Sequence, residues 1–291
     1  MDPRTQPLKA RKFQFSDGQL YVALTVPAII VTLLICIIPL MLLLVQSFKA
    51  RGVDGFTLAN YADIFTSRFF WKLVLSTFTI GIVVTVISLV MAYPVAYYFA
   101  RNTRARNILM CIVMVPRMLP FVVVGYAFIL ILAPYTGLLN VLLVKQLGIL
   151  SKPLNILFDL PGLIIALVYS RAVVAIGILT GVIDKIDVSL EEASTTLGYS
   201  KLATFFKVVF PLTIPGLIGA SGLIFAMTIT AYVIPNMLAG RGMYMVSVLI
   251  GSNLLQLGNW NLAFAQAVVV TILALFCTWL SQYVLVRYQG K

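Results

Sequence analysis

The chain has 291 residues, of which 61% are hydrophobic and only 10% charged, whereas a soluble domain carries roughly 25% charged residues to keep its surface wetted. The composition therefore excludes a soluble globular protein and makes lipid the solvent. The formal charge of +12 would suggest nucleic acid in a soluble chain, but here Lys and Arg mostly flank apolar stretches, so a nucleic-acid partner is excluded and the bilayer takes its place.

A bilayer core about 30 Å thick needs roughly 20 apolar residues in a helix. Six stretches are long enough, and they predict spans at Leu20–Val45, Leu73–Phe99, Ile108–Leu132, Leu160–Ile183, Leu212–Leu238 and Leu262–Val286. The expected fold is all-α and integral to the membrane. Continuous apolar runs fit helices; a barrel would alternate polar and apolar residues. The first span lacks a clear small-residue cleavage site and is expected to stay as an anchor. Residues 1–19 form an N-terminal segment, 20–286 the transmembrane domain and 287–291 a tail.

With both termini in the cytoplasm, twelve basic residues lie inside: Arg4, Lys9, Arg11, Lys12, Arg101, Arg104, Arg106, Lys185, Lys201, Lys207, Arg287 and Lys291. Seven lie outside: Lys49, Arg51, Arg68, Lys72, Lys145, Lys152 and Arg241. The excess sets the orientation. Outside, Gly137 to Leu150 is expected to form a short interfacial helix, and Trp71 and Trp260 to mark the outer boundary. A short polar loop (Gly251, Ser252, Asn253, Gln256, Asn259, Asn261) is expected before the last span.

The chain has no histidine, which removes the commonest metal ligand and acid–base residue. Cys36, Cys111 and Cys277 are far apart and fall within spans, as plain packing residues do. No Gly-rich loop ending in Lys-Ser/Thr is present to cradle ATP phosphates. The chain is thus expected to be non-catalytic, with no metal and no cofactor of its own. Its energy must come from a partner or an ion gradient.

Between spans four and five lies a polar island, residues 184–211. Ser189 precedes Glu192 by three residues, a capping-box spacing that predicts a helix from Leu190 to Leu197. Gly198 suits the left-handed stop after it. Ser200 can cap a second helix through Val209, and Pro211 is expected to limit its continuation. Leu202, Phe205, Phe206 and Val209 recur at helical spacing. Together with Glu191 and Glu192 they would offer a knob to a groove in another protein. The same pattern also suits a connector lying on the membrane surface.

Glu192-Ala193-Ser194, then three residues to Gly198, then nine to Val208-Val209-Phe210-Pro211, resembles the coupling ("EAA") loop of ABC importer permeases. Ser194, Val208 and Phe210 are conservative departures. Leu58-Ala59-Asn60-Tyr61, Ala92-Tyr93-Pro94-Val95-Ala96-Tyr97 before Arg101, Gly137-Leu138-Leu139-Asn140, Val168-Tyr169-Ser170 and Ile234-Pro235-Asn236 extend the similarity to spermidine/putrescine-type permeases. The resemblance implies the type I ABC importer permease fold. It also implies a second permease subunit, an ATPase dimer that binds ATP and Mg, and an extracytoplasmic solute-binding protein. The ATPase-coupling residues would be Glu191, Glu192, Ala193, Gly198, Leu202, Phe205 and Pro211. A secondary carrier or channel subunit is the alternative, although no span carries the acidic residue that a proton-coupled carrier needs.

Arg117 and Arg171 fall near the middle of spans three and four, where each costs about 2.5–3.5 kcal/mol on insertion scales. Either they line the path and favour an anionic solute group, or they bind helix carbonyls freed by Pro116 and Pro120, or contacts between permeases. Tyr169 and Ser170 beside Arg171 share that ambiguity. Thr228, Tyr232 and Asn236, spaced four apart in span five, would share one face; they suit either a polar path face or helix–helix hydrogen bonding. The polyamine-type pattern has Arg where Val124 stands before Gly125-Tyr126-Ala127, and often Asp where Asn236 stands. A polycation would be repelled by two arginines. An anion or zwitterion, such as an opine or aminophosphonate, fits the charges better.

Overall fold

The computed structural model describes residues 17–49, 55–240, 242 and 244–289. Most of the N-terminal segment, the end of the tail, and Arg4, Lys9, Arg11, Lys12, Arg51, Arg241 and Lys291 lie outside the described residues. So do the side chains of Arg104 and Arg287. Among the described residues the regular elements are helices: α1 (Asp17–Ser47), α2 (Ala59–Thr66), α3 (Arg68–Arg101), α4 (Thr103–Met118), α5 (Phe121–Leu132), α6 (Leu138–Asn140), α7 (Leu160–Ile183), α8 (Ser189–Thr196), α9 (Lys201–Thr204), α10 (Phe210–Ile229), α11 (Val233–Leu238), α12 (Val246–Leu255) and α13 (Trp260–Gln289).

Five helices are long and apolar enough to cross a bilayer, and the α4–α5 pair makes a sixth span if counted as one. The centre is α3 packed along α7. Small residues line the seam (Ala92, Ala96, Ala166 and Ala175 are fully buried), as helix contacts in lipid require where no hydrophobic force pulls helices together. One buried cluster, near the elbow formed by residues 184–211, joins Tyr93, Phe99, Leu179, Ile183 and Ile224. A second, at the other end, joins Val84, Phe128, Leu163, Leu167 and Leu238. Helix α1 has none of its most apolar stretch buried, which suits a helix solvated by lipid. Its last turns are satisfied from elsewhere: Asn60 donates to the Ser47 and Lys49 carbonyls at 3.0 and 2.7 Å, and Asn261 to that of Gln46 at 2.9 Å.

Three expectations need correction. Span three is not one helix: α4 and α5 meet at 96°. Leu119, preceding Pro120, is extended (φ −77°, ψ 136°), because the proline ring disfavours helical backbone in the residue before it. Span five does not run from Leu212 to Leu238. It starts in the elbow, ends at Ile229, and is followed after a break by the separate α11. The polar loop before the last span is shorter than expected: Gly251, Ser252 and Asn253 lie in helix α12, where Ser252 and Asn253 are buried and Asn253 donates to Gln266 at 2.8 Å, and residues 256–259 form the loop. Gly137 to Leu150 does contain a short helix, α6 continuing into a wide π-type turn. Asn140 fixes it by donating to the Ala133 and Leu154 carbonyls and accepting from the Leu154 N–H.

Candidate functional site

The elbow is two short helices around a glycine. Its first helix begins one residue earlier than the capping box predicts. Ser189 is inside α8, and the Asp187 carboxylate accepts the Ser189 N–H at 2.9 Å. That bond, with one from the Ser189 hydroxyl, holds the Asp187 carboxyl below its ordinary pKa. Gly198 has φ +88°, a backbone that a side chain makes unfavourable. Ser200 then caps α9, accepting the Ala203 N–H at 3.3 Å. Pro211 does not stop the second helix. A π-type turn at Phe205–Val209 precedes it, and α10 continues through the proline to Ile229. Such a wide turn relieves the missing N–H and the ring clash. Ser194, which stands where the coupling pattern has Ala, is buried and shares a 2.9 Å hydrogen bond with the Thr204 hydroxyl. It fastens α8 to α9.

The expected docking face divides in two. Glu191 does not face outward. Its carboxylate accepts from Arg101 Nε at 2.6 Å and from the Tyr97 hydroxyl at 2.8 Å. Arg101 also reaches the Ile183 and Ile186 carbonyls, capping the end of α7, where a cation complements the helix dipole. Arg106 forks onto Asp184 through two N–H···O contacts. Phe205 likewise turns inward, with its ring edge-on to Tyr93 and Tyr97 at 5.5 and 5.4 Å. Glu192, Ala193 and Gly198 are exposed, with Leu202 70% and Phe206 59% exposed. Leu190, Leu197 and Tyr199 join them, Leu197 being 78% exposed. Sequence reasoning overlooked these three, and it overlooked Arg101 and Arg106 as partners, which stand 90 and 78 residues away in sequence from Glu191 and Asp184.

At the α4–α5 bend, Arg117, Tyr169, Ser170 and Arg171 surround one cavity of about 190 Å³, together with Phe121 and Met227. Arg171 is 4% exposed. It donates from Nη2 to the Met227 carbonyl at 2.8 Å and from Nη1 to the Ser170 hydroxyl at 3.4 Å, while Nε has no partner among the described residues. The carbonyl it takes belongs to the last turn of α10, which has no intrahelical donor to spare, and not to a turn freed by Pro116 or Pro120. Arg117 is exposed on the cavity wall. A second cavity, about 350 Å³, shares Phe121, Arg171 and Met227 with the first and leads to Thr230 and Tyr232. Thr228, Tyr232 and Asn236 do not share a face, because the helix breaks between them. Thr228 is buried and returns its hydroxyl to the Ile224 carbonyl at 2.7 Å, and Asn236 is exposed on α11.

Residues 87–289 match the family described as binding-protein-dependent transport system inner membrane component. The chain belongs to that family. It is 30% identical over 243 residues to the spermidine/putrescine transport system permease protein PotB of Haemophilus influenzae, covering 81% of this chain and 84% of that protein. In fold it resembles a chain of a bacterial ABC transporter that imports the acidic polysaccharide alginate (TM-score 0.79, 19% identity, 92% of this chain and 95% of that one). It also resembles a chain of the alginate transporter in complex with its pentasaccharide-bound periplasmic protein (TM-score 0.77, 18% identity, 91% and 93%). The fold is that of a type I ABC importer permease, and the protein is a multi-pass inner-membrane transport subunit.

Proposed function

We propose that this permease is one half of the translocation path of an ATP-driven importer, and that it couples to a cytoplasmic ATPase through residues 184–211. The observation that carries this reading is the outward face of the elbow. Leu190, Leu197, Tyr199, Leu202 and Phe206 stand exposed across the elbow, whose first helix is bolted to α3 by the Arg101–Glu191 pair, while the Arg106–Asp184 pair ties the end of α7, where the elbow begins, to α4. An apolar patch on so short a polar segment calls for a covering partner. A rigid mount lets force on the patch reach the bundle. ATP and Mg belong to that ATPase, present as a dimer; a second permease completes the path, and an extracytoplasmic binding protein delivers the solute. Arg101, Arg106, Lys185, Lys201 and Lys207 gather at the elbow end, which supports a cytoplasmic elbow and, with it, both termini inside. Kinship with PotB supports a small polar solute. The arginines of the bend, which meet no carboxylate among the described residues, favour an anionic or zwitterionic member over a simple polyamine.

Co-purification tests this. The wild-type chain, expressed with its companion permease, retains the ATPase on an affinity column and supports ATP-dependent uptake. Gly198→Val forces a β-branched residue into a backbone that costs about 1–2 kcal/mol for an L-residue; both retention and uptake fall to background, with expression unchanged. Uptake by the chain alone in liposomes, driven by an ion gradient, overturns the reading.

A further inference from the structure

We propose that Arg171 is a docking point for an oxyanion group, carboxylate or phosphonate, of the transported solute. This rests on the importer reading above and adds a position and a chemistry to it. The guanidinium stays charged under all ordinary conditions, yet it is 4% exposed. A buried charge needs a counter-charge as well as hydrogen bonds. Arg171 has two bonds to neutral oxygens, one of them long at 3.4 Å. The two salt bridges found among the described residues are both at the elbow and involve other arginines. The remaining donor, Nε, is buried without a partner, and the residue borders both cavities of the bend. Water could satisfy the hydrogen-bonding capacity of Nε but not the charge. An oxyanion supplies both, and a planar fork of N–H groups matches carboxylate or phosphonate oxygens.

The surroundings set what else the solute carries. Arg117, on the wall of the smaller cavity, adds a second positive charge, and neither salt bridge among the described residues involves it. A cavity of about 190 Å³ holds one compact head group. The rest of the solute extends past Met227 into the adjoining space of about 350 Å³, whose lining includes Tyr232, an aromatic residue of the kind that attracts an ammonium end. The fitting class is a small solute with an oxyanion at one end and room for a cation at the other.

Thiol labelling of the complete complex in liposomes tests the site. In a background with Cys36, Cys111 and Cys277 replaced by Ser, Ser170→Cys places a thiol on the cavity wall; Tyr169→Cys is the second position should the first fail to assemble. The probes are methanethiosulfonates carrying either a sulfonate or a trimethylammonium group. Normalised to a free thiol, the anionic reagent should react about ten-fold faster, the order expected for one charge a few ångströms away in a partly hydrated site. Added methylphosphonate should slow it, and methylammonium should not. Arg171→Gln should remove most of the difference between the two rates, leaving the smaller part that the exposed Arg117 supplies. Equal rates with Arg171 in place, or no effect of methylphosphonate, overturn the proposal and point to a carboxylate from the companion permease as the counter-charge. Stimulation of ATP hydrolysis by the loaded binding protein, measured on the same vesicles, separates the two failures. If it persists, only the anion site falls; if wild-type vesicles lack it, the importer reading falls.

Discussion

The elbow and the bend both place arginines against the bundle, but the two ends treat charge in opposite ways. At the elbow, Arg101 and Arg106 meet Glu191 and Asp184, and Arg101 adds two helix carbonyls. At the bend, Arg117 and Arg171 meet no carboxylate among the described residues. A paired charge fixes geometry and has little capacity left for a visitor. An unpaired one is poorly suited to holding a fold together, since its desolvation is not offset. The contrast assigns rigidity to the elbow and recognition to the bend.

The contrast is easiest to break at Arg101. Arg101→Ala leaves the Glu191 carboxylate, whose side chain is only 16% exposed, beside an aromatic cluster with Tyr97 as its remaining donor. Breaking a fully buried pair costs about 3–5 kcal/mol; with partial hydration, about 2 kcal/mol is expected. Thermal unfolding of the purified complex should show the loss, and nucleotide hydrolysis should proceed with less solute moved per ATP. Removing both partners should restore part of the stability, because no stranded charge remains. If Arg101→Ala unfolds no earlier than wild type, the ion pair is not the bolt that holds the elbow.

The opposite sign is expected at the bend. Arg171→Met removes a buried charge and one good hydrogen bond, to the Met227 carbonyl. The first change stabilises and the second destabilises by about 1 kcal/mol, so unfolding should be unchanged or shifted upward by about 1 kcal/mol. Uptake should nevertheless fall. A destabilisation as large as that of Arg101→Ala would place Arg171 among the structural arginines.

How far the sequence led differs between the ends for a physical reason. Apolar runs report how much of a helix can sit in lipid, so α1, α3, α7 and α13 were legible from composition. They do not report direction, and the 96° turn at Leu119–Pro120 and the break after Ile229 passed as continuous spans. Proline signals in the sequence were read with the wrong consequence twice. Pro120 was placed inside a span that it breaks, and Pro211 was expected to end a helix that a wide turn carries through. At the elbow, Gly198 and Ser200 were readable because turns and caps are local chemistry. Glu191 and Phe205 were not, since a helix of two turns has an inner face that only its neighbours define. Several fragments that carried the family resemblance have plain structural work in this chain: Asn60 ends α1, Asn140 pins the outer turn, and Tyr93 shares a 2.7 Å hydrogen bond with Thr213. Their presence therefore marks the fold more than the cargo.

The smallest expected effect sharpens the elbow side. Arg106 and Asp184 form a two-pronged pair, but the side chains are 30% and 28% exposed, and exposed pairs contribute about 0.2–1 kcal/mol. Arg106→Gln should lower unfolding stability by about 0.5 kcal/mol at low salt and by less in 0.5 M salt, where screening acts within about 4–5 Å. Arg101→Ala, with a less hydrated partner, should keep most of its effect at the same salt. The pair joins the end of α7 to α4, the helix whose far end carries Arg117. Its mechanical consequence should therefore exceed its energy: uptake by Arg106→Gln should drop while ATP hydrolysis and assembly hold. Uptake at the wild-type rate would leave Arg101 as the elbow's main fastening and take α4 out of the route between the elbow and the bend.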